Sequence, residues 1–187
     1  GNRPIVPCGA SNSLGNGSGE VAYNVLNQDG TTKQTVYVPR FHGIENPFGD
    51  VWEFIDGVHL MCQSDADGGK ILVYANDDIS TFQDTDNTNY EKRGEAIQTN
   101  GYVSKMLWGD KGDMIATEVN GGSSTYYCDY FYINKPSSGT QLRAVLVGGN
   151  ATKGAPAGLG CVGADSVPAI TGVNLGSRLC YLGSEND

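Results

Sequence analysis

The chain has 187 residues, 39% hydrophobic and 18% charged, a globular composition long enough for one domain with a sizeable core. Its formal net charge of −9 argues against nucleic acid or an anionic membrane as partner, and no apolar run approaches the roughly 18 residues that insertion into a bilayer requires. Glycine makes up 27 residues, about twice the usual share, which favours turns and loops over long helices.

Residues 1–20 are rich in Gly, Ser and Asn, carry no apolar period, and read as an N-terminal arm or linker. The remaining residues, 21–187, read as a single domain. Short strand-like runs follow at 21–26, 35–39, 58–63, 70–75, 102–107, 114–119, 126–133, 142–147 and 178–182, several bounded by Asp-Gly, Gly-Gly or Ser-Gly turns. In 126–133 both alternating sets of side chains are mostly apolar or aromatic, as expected of a central strand covered on two faces.

Residues 46–57 carry a helical pattern. Asn46 suits an N-cap and Pro47 a first helical position. Phe48, Val51, Trp52 and Ile55 fall on one face, which makes Trp52 a core residue, and Gly57 is placed to end the helix. Residues 91–98 suggest a weaker second helix interrupted by Gly94. Between these, 76–90 hold Asp77, Asp78, Asp84 and Asp86 with several Asn and Thr, and read as a solvated surface loop. With Asp65 and Asp67 they offer oxygen ligands, but not in the order of a calcium-binding loop, so no metal is expected.

Five cysteines form no CxxC pair, and the two histidines do not cluster with them, which argues against a zinc site. No nucleotide-binding fingerprint is present and no cofactor is expected. His42 and His59 read as packed or surface residues rather than as parts of a Ser/His/Asp triad.

The C-terminal stretch is the least regular. Between Gly148 and Gly176, Gly, Ala, Ser and Thr alternate without period, flanked by strand-like runs at both ends. Long loops inside compact domains are usually functional or disordered, and this one reads as a display loop on a rigid base. Its candidate contact residues are Asn150, Thr152, Lys153, Pro156, Asp165, Ser166, Ile170 and Asn174. Gly149 and Gly176 read as structural glycines that serve close backbone approach or a φ > 0 turn, and Arg178 as a structural guanidinium tying loop carbonyls to the sheet. The alternative for the loop is burial in a subunit interface.

Two motifs carry a resemblance. Asn46-Pro-Phe-Gly-Asp-Val-Trp52 resembles the N-P-x-G-x-x-W signature of bacterial and phage proteins with the C-type-lectin fold, which include formylglycine-generating-enzyme-like domains and the variable proteins of diversity-generating retroelements. Gly148-Gly149, then Gly154-Ala-Pro-Ala-Gly158, then Leu175-Gly-Ser-Arg-Leu179 are similar to the C-terminal pattern of those variable proteins, although Ala151 stands where they usually carry Trp. The resemblance implies an α+β, C-type-lectin-like fold: a twisted, mostly antiparallel sheet with one or two short helices and long loops. It also implies a non-enzymatic protein that displays its C-terminal loop to a protein or glycan receptor on a cell surface. Such a homo-oligomer would sit at a phage tail-fibre tip or on a bacterial surface as an adhesin. Two alternatives stay open: a structural virion or assembly protein without a host ligand, and a cysteine-dependent enzyme of the formylglycine-generating kind, which would need Cys161 and Cys180 close together.

Overall fold

Strand-forming runs separated by glycine turns make the described residues mostly β-sheet with little helix. The computed structural model describes residues 6–110 and 113–177. Its strands are β1 (Gly19–Leu26), β2 (Thr32–Phe41), β3 (Ile44–Glu45), β4 (Trp52–Gln63), β5 (Ile71–Ala75), β6 (Glu91–Ala96), β7 (Gly101–Tyr102), β8 (Lys105–Trp108), β9 (Met114–Glu118), β10 (Tyr130–Ile133), β11 (Thr140–Val147), β12 (Val162–Ala164) and β13 (Leu175–Gly176). Among the described residues the helical structure consists of single 3-10 turns at Asn12–Leu14, Asp65–Asp67 and Ile79–Thr81.

The main sheet has eight strands in the order β6-β5-β4-β11-β12-β10-β7, with β13 pairing in parallel with the start of β4. Its long centre is the antiparallel β4–β11 pair. β12 lies between β11, to which it is antiparallel, and β10, to which it is parallel. β1, β2 and β3 form a separate antiparallel sheet, and β8–β9 a hairpin.

The expected helix over 46–57 is not formed. Asn46 has φ +49°, incompatible with an N-cap leading into a helix, and Pro47 lies in the β3–β4 connection. From Trp52 the backbone is extended; Trp52 pairs with Leu175 of β13, and from Glu53 onward the strand pairs with β11. Gly57 (φ +81°) sits inside β4 at a β-bulge rather than at a helix end: Val145 pairs with Ile55 and the next residue, Ala144, with His59. The second expected helix is strand β6, antiparallel to β5. The apolar spacing at 48–55 reflects a loop joined to a strand covered on both faces, where neither a 3.6 nor a 2.0 period survives.

Two apolar layers cover the main sheet. On one face Leu60, Cys62, Ile71, Val73, Phe131, Ile133, Val145 and Ala164 pack with Ile115 and Ala116 of β9. On the other, Trp52, Leu146 and Cys161 pack with Phe54, Tyr130, Tyr132 and Leu175. β10 contributes Phe131 and Ile133 to the first layer and Tyr130 and Tyr132 to the second, the two-faced central strand expected from its sequence. Residues 126–129, expected as part of that strand, form a turn instead, with Tyr126 and Cys128 at positive φ.

The described part of the N-terminal arm packs on its own chain. The Glu45 carboxylate accepts from the Gly9 N–H (2.6 Å) and from the Ser11 N–H (2.6 Å) and hydroxyl (2.5 Å). The Ser11 hydroxyl is the first cause of its lowered pKa.

Candidate ligand-binding surface

The segment after β11 is fastened to the sheet at several points. Gly148 (φ +88°) donates its N–H to the Cys161 carbonyl (3.1 Å) and accepts from the Gly49 N–H (3.0 Å). Gly149 (φ +72°) lies so close to Ala157 that a Cβ would come within 2.8 Å of it, so a side chain here would meet both strain and a clash. Asn150 is buried, and its Oδ1 accepts from the Thr152 N–H (3.0 Å) and hydroxyl (2.7 Å), an Asx turn that starts the loop. The Ala151 N–H donates to the Asp50 carbonyl (3.2 Å), joining the loop to the β3–β4 connection.

Lys153 folds inward over aromatic rings. Its ammonium lies 4.1 Å from the Tyr132 ring centre and 5.9 Å from that of Trp52. The Trp52 ring meets Tyr132 edge-on at 5.9 Å and rests on Gly163, where a Cβ would approach it to 3.2 Å. Burial pushes the Tyr132 hydroxyl up to about 12 and the Cys161 thiol up to about 12. Nearby, Asp129 accepts from the Gly160 N–H (3.1 Å), and a side chain at Gly158 or Gly160 would collide with its carboxylate. Desolvation raises the Asp129 pKa and this N–H opposes the rise.

Further along, β12 enters the sheet, the Ser166 carbonyl accepts from the Ala144 N–H (3.0 Å), and the Asn174 carbonyl accepts from the Trp52 N–H (2.9 Å). Gly176 ends β13 with Val51 beside it.

The structure therefore divides the expected contact residues. Thr152 and Asp165 are exposed, while Pro156, Ser166, Ile170 and Asn174 are half-buried. Asn150 is a correction: its side chain shapes the turn and is not presented to solvent. Lys153 is half-buried and engaged with aromatic rings. Nor do the residues converge on one site. Asn150 borders a groove of about 610 Å³ between residues 150–157 and the β1–β2 sheet, with Asn46, Val36, Tyr37 and Ala151 among its lining. Ile170 lines a different pocket of about 280 Å³, with Phe54, His59, Asp84 and Pro168. Arg178 and Cys180, and the strand expected at 178–182, lie outside the described residues.

Three exposed residues were missed from sequence: Val173 (98% exposed), Leu159 (45%) and Tyr37 (63%). The available signal was a lone apolar side chain among glycines, as in Gly158-Leu159-Gly160 and Gly172-Val173. Tyr37 gave none, because its outward direction depends on strand register. Among the described residues, no helix is long and apolar enough to cross a membrane, and no group of three His, Cys, Asp or Glu is placed to hold a metal ion. Comparison with protein-family models, with curated proteins and with solved structures finds no match for this chain.

Proposed function

We propose that this chain is a non-enzymatic ligand- or receptor-binding protein of the C-type-lectin-like, retroelement-variable kind, which presents its C-terminal loop to a protein or glycan on a cell surface. The observation that carries the reading is the groove of about 610 Å³ in which Asn150, Ala151, Gly154 and Ala157 form one wall and β2 the other, with Tyr37 largely exposed at its side. Binding sites are typically concave and mostly apolar, with a few polar groups that fix orientation. The loop wall is fixed largely by backbone bonds and glycine contacts, with the Thr152 hydroxyl bonded to Asn150 in addition, so most of its exposed side chains carry little of the folding energy. The Cys161 thiol, fully buried and shifted to about 12, is a poor nucleophile, which favours binding over cysteine chemistry. In this reading several copies in a homo-oligomer at a phage tail-fibre tip or bacterial surface add weak contacts through effective concentration.

A screen of glycans and cell surfaces tests the proposal. The chain carrying Thr152→Ala and Asp165→Ala, and a second chain carrying Ala151→Glu in the groove, should each bind more weakly than the native chain while remaining folded. Equal binding by all three would remove the loop as the contact surface. A rival reading, an assembly protein without a host ligand, is favoured by the exposed Tyr37, Phe41 and Ile44 on the β1–β3 sheet. If those residues become protected in a stable oligomer and no ligand is retained, the rival replaces it.

A further inference from the structure

Midway along β11 lies a guanidinium with no ion-pair partner among the described residues. Arg143 is only 6% exposed, and its Nε has no hydrogen-bond partner. None of the ion pairs among the described residues includes it. It shares a face with Leu60 and lies against the Cys62 thiol, whose burial-raised pKa of about 11 its charge opposes. Neutral sulfur is a weak acceptor for a buried cation. Burying a charge is costly unless it is paired and hydrogen-bonded.

Arg143 lines an open pocket of about 570 Å³ formed with the β10–β11 connection, whose walls include Asn134, Lys135, Ser137, Ser138 and Thr140. These side chains supply hydroxyl and amide donors beside the Arg143 guanidinium and a Lys135 ammonium that Asp65 already pairs. The neighbouring carboxylates are already engaged. Asp65 pairs with Lys135, and Asp67 accepts from the Ser64 hydroxyl and from the Gly139 N–H (2.8 Å), which holds the connection in place.

We infer that the Arg143 pocket is an anion-binding site for a tetrahedral oxyanion, a sulfate or phosphate group borne by a ligand. A guanidinium presents its donors in a fork that matches two oxygens of such a group, and the serine and threonine hydroxyls suit the remaining oxygens. In a chain of net charge −9, a site for an anion has to be made locally; here no carboxylate is among the lining residues, and the Arg143 cation is buried without an ion pair. The site stands on residues separate from the display loop and does not depend on the reading given to that loop.

The test is a titration of the full ¹⁵N-labelled chain with inorganic sulfate and with inorganic phosphate, against chloride and acetate at matched ionic strength. Saturable amide shifts confined to 134–143 are expected for the two tetrahedral anions, weakened at least about tenfold by Arg143→Gln. Because removing a buried arginine can unfold a chain, a Ser138→Ala, Thr140→Val double variant with Arg143 intact provides a second readout and should also weaken binding. The stronger of the two anions identifies the ester class, sulfated or phosphorylated. Linear or scattered shifts, an equal response to chloride or acetate, or unaltered binding in a folded Arg143→Gln chain would overturn the assignment. If Arg143→Gln does not fold, unaltered binding in the double variant would overturn it.

Discussion

Trp52 is where packing, backbone pairing and the loop meet. Its ring is 6% exposed and touches Gly163 from β12 and Tyr132 from β10, while its N–H holds the Asn174 carbonyl. Replacing a buried tryptophan by alanine removes both transfer energy and packing, so Trp52→Ala should lower the unfolding free energy by about 3–5 kcal/mol in a denaturant titration. Gly163→Val should destabilise by a different route, by pushing the ring out of its seat. His59 makes the stability depend on pH. It is buried, stacked on Tyr90 at 4.1 Å, and its Nε2 lies 3.9 Å from the Asp84 carboxylate. Burial lowers its pKa below the ordinary 6.5, against the opposing pull of Asp84, Asp56 and Asp86. The unfolded chain therefore binds this proton first as pH falls, and stability from this group is lost below about 6.5. Asp129 has the opposite sign: its raised pKa makes its contribution largest at low pH and lost as pH rises through the folded value. Stability measured from pH 7 to pH 5 should fall less steeply in His59→Gln than in the native chain, and an unchanged slope would exclude His59 as the source.

At the scale of elements, β4 shows how the sequence was misread. Phe48, Val51, Trp52 and Ile55 have the spacing of a helical face, but the first two precede the strand, Trp52 enters one apolar layer, and Ile55 is largely exposed beside the bulge. Local spacing cannot reveal that β11 supplies a partner ninety residues away. The run at 58–63 is legible because it lies beyond the bulge at Gly57, is mostly apolar, and ends at the turn around Asp65–Asp67. β6 was harder still: Glu91, Lys92, Arg93 and Glu95 are poor strand formers, held extended by β5 and by ion pairs such as Lys70–Glu95 at 2.9 Å. In the loop, the positive φ of Gly149 suits its residue type, whereas the burial of Asn150 depends on tertiary placement. Gly57 gives this scale its own prediction. With φ +81°, and with the Phe82 ring and the Asn76 carbonyl where a Cβ would go, Gly57→Ala should destabilise by more than about 1 kcal/mol. A thermal melt reads this directly, and an unchanged midpoint would mean that the bulge relaxes freely.

For the molecule as a whole, the two-sided sheet forms the rigid body, and the β1–β3 sheet stands beside it with Leu26, Tyr37, Phe41 and Ile44 exposed. Others, such as Leu107 and Trp108, are exposed elsewhere, but Tyr37, Phe41 and Ile44 share one small sheet, and neighbouring exposed apolar side chains are a common sign of association. Solution mass should therefore exceed that of one chain, and Tyr37→Glu with Phe41→Glu should return it to the monomer. A native chain that is already monomeric would defeat the homo-oligomer expectation. The position of β12 has a further bearing. It fills a slot between β10 and β11 although it is made after both. A nascent chain stalled on the ribosome before residue 162 would carry two unfilled strand edges in the middle of its sheet, and open edges invite pairing with other chains. Synthesis of this protein is thus exposed to misassembly until residues 162–164 are translated, and copies terminated before them should accumulate as insoluble, protease-sensitive material rather than as smaller folded domains.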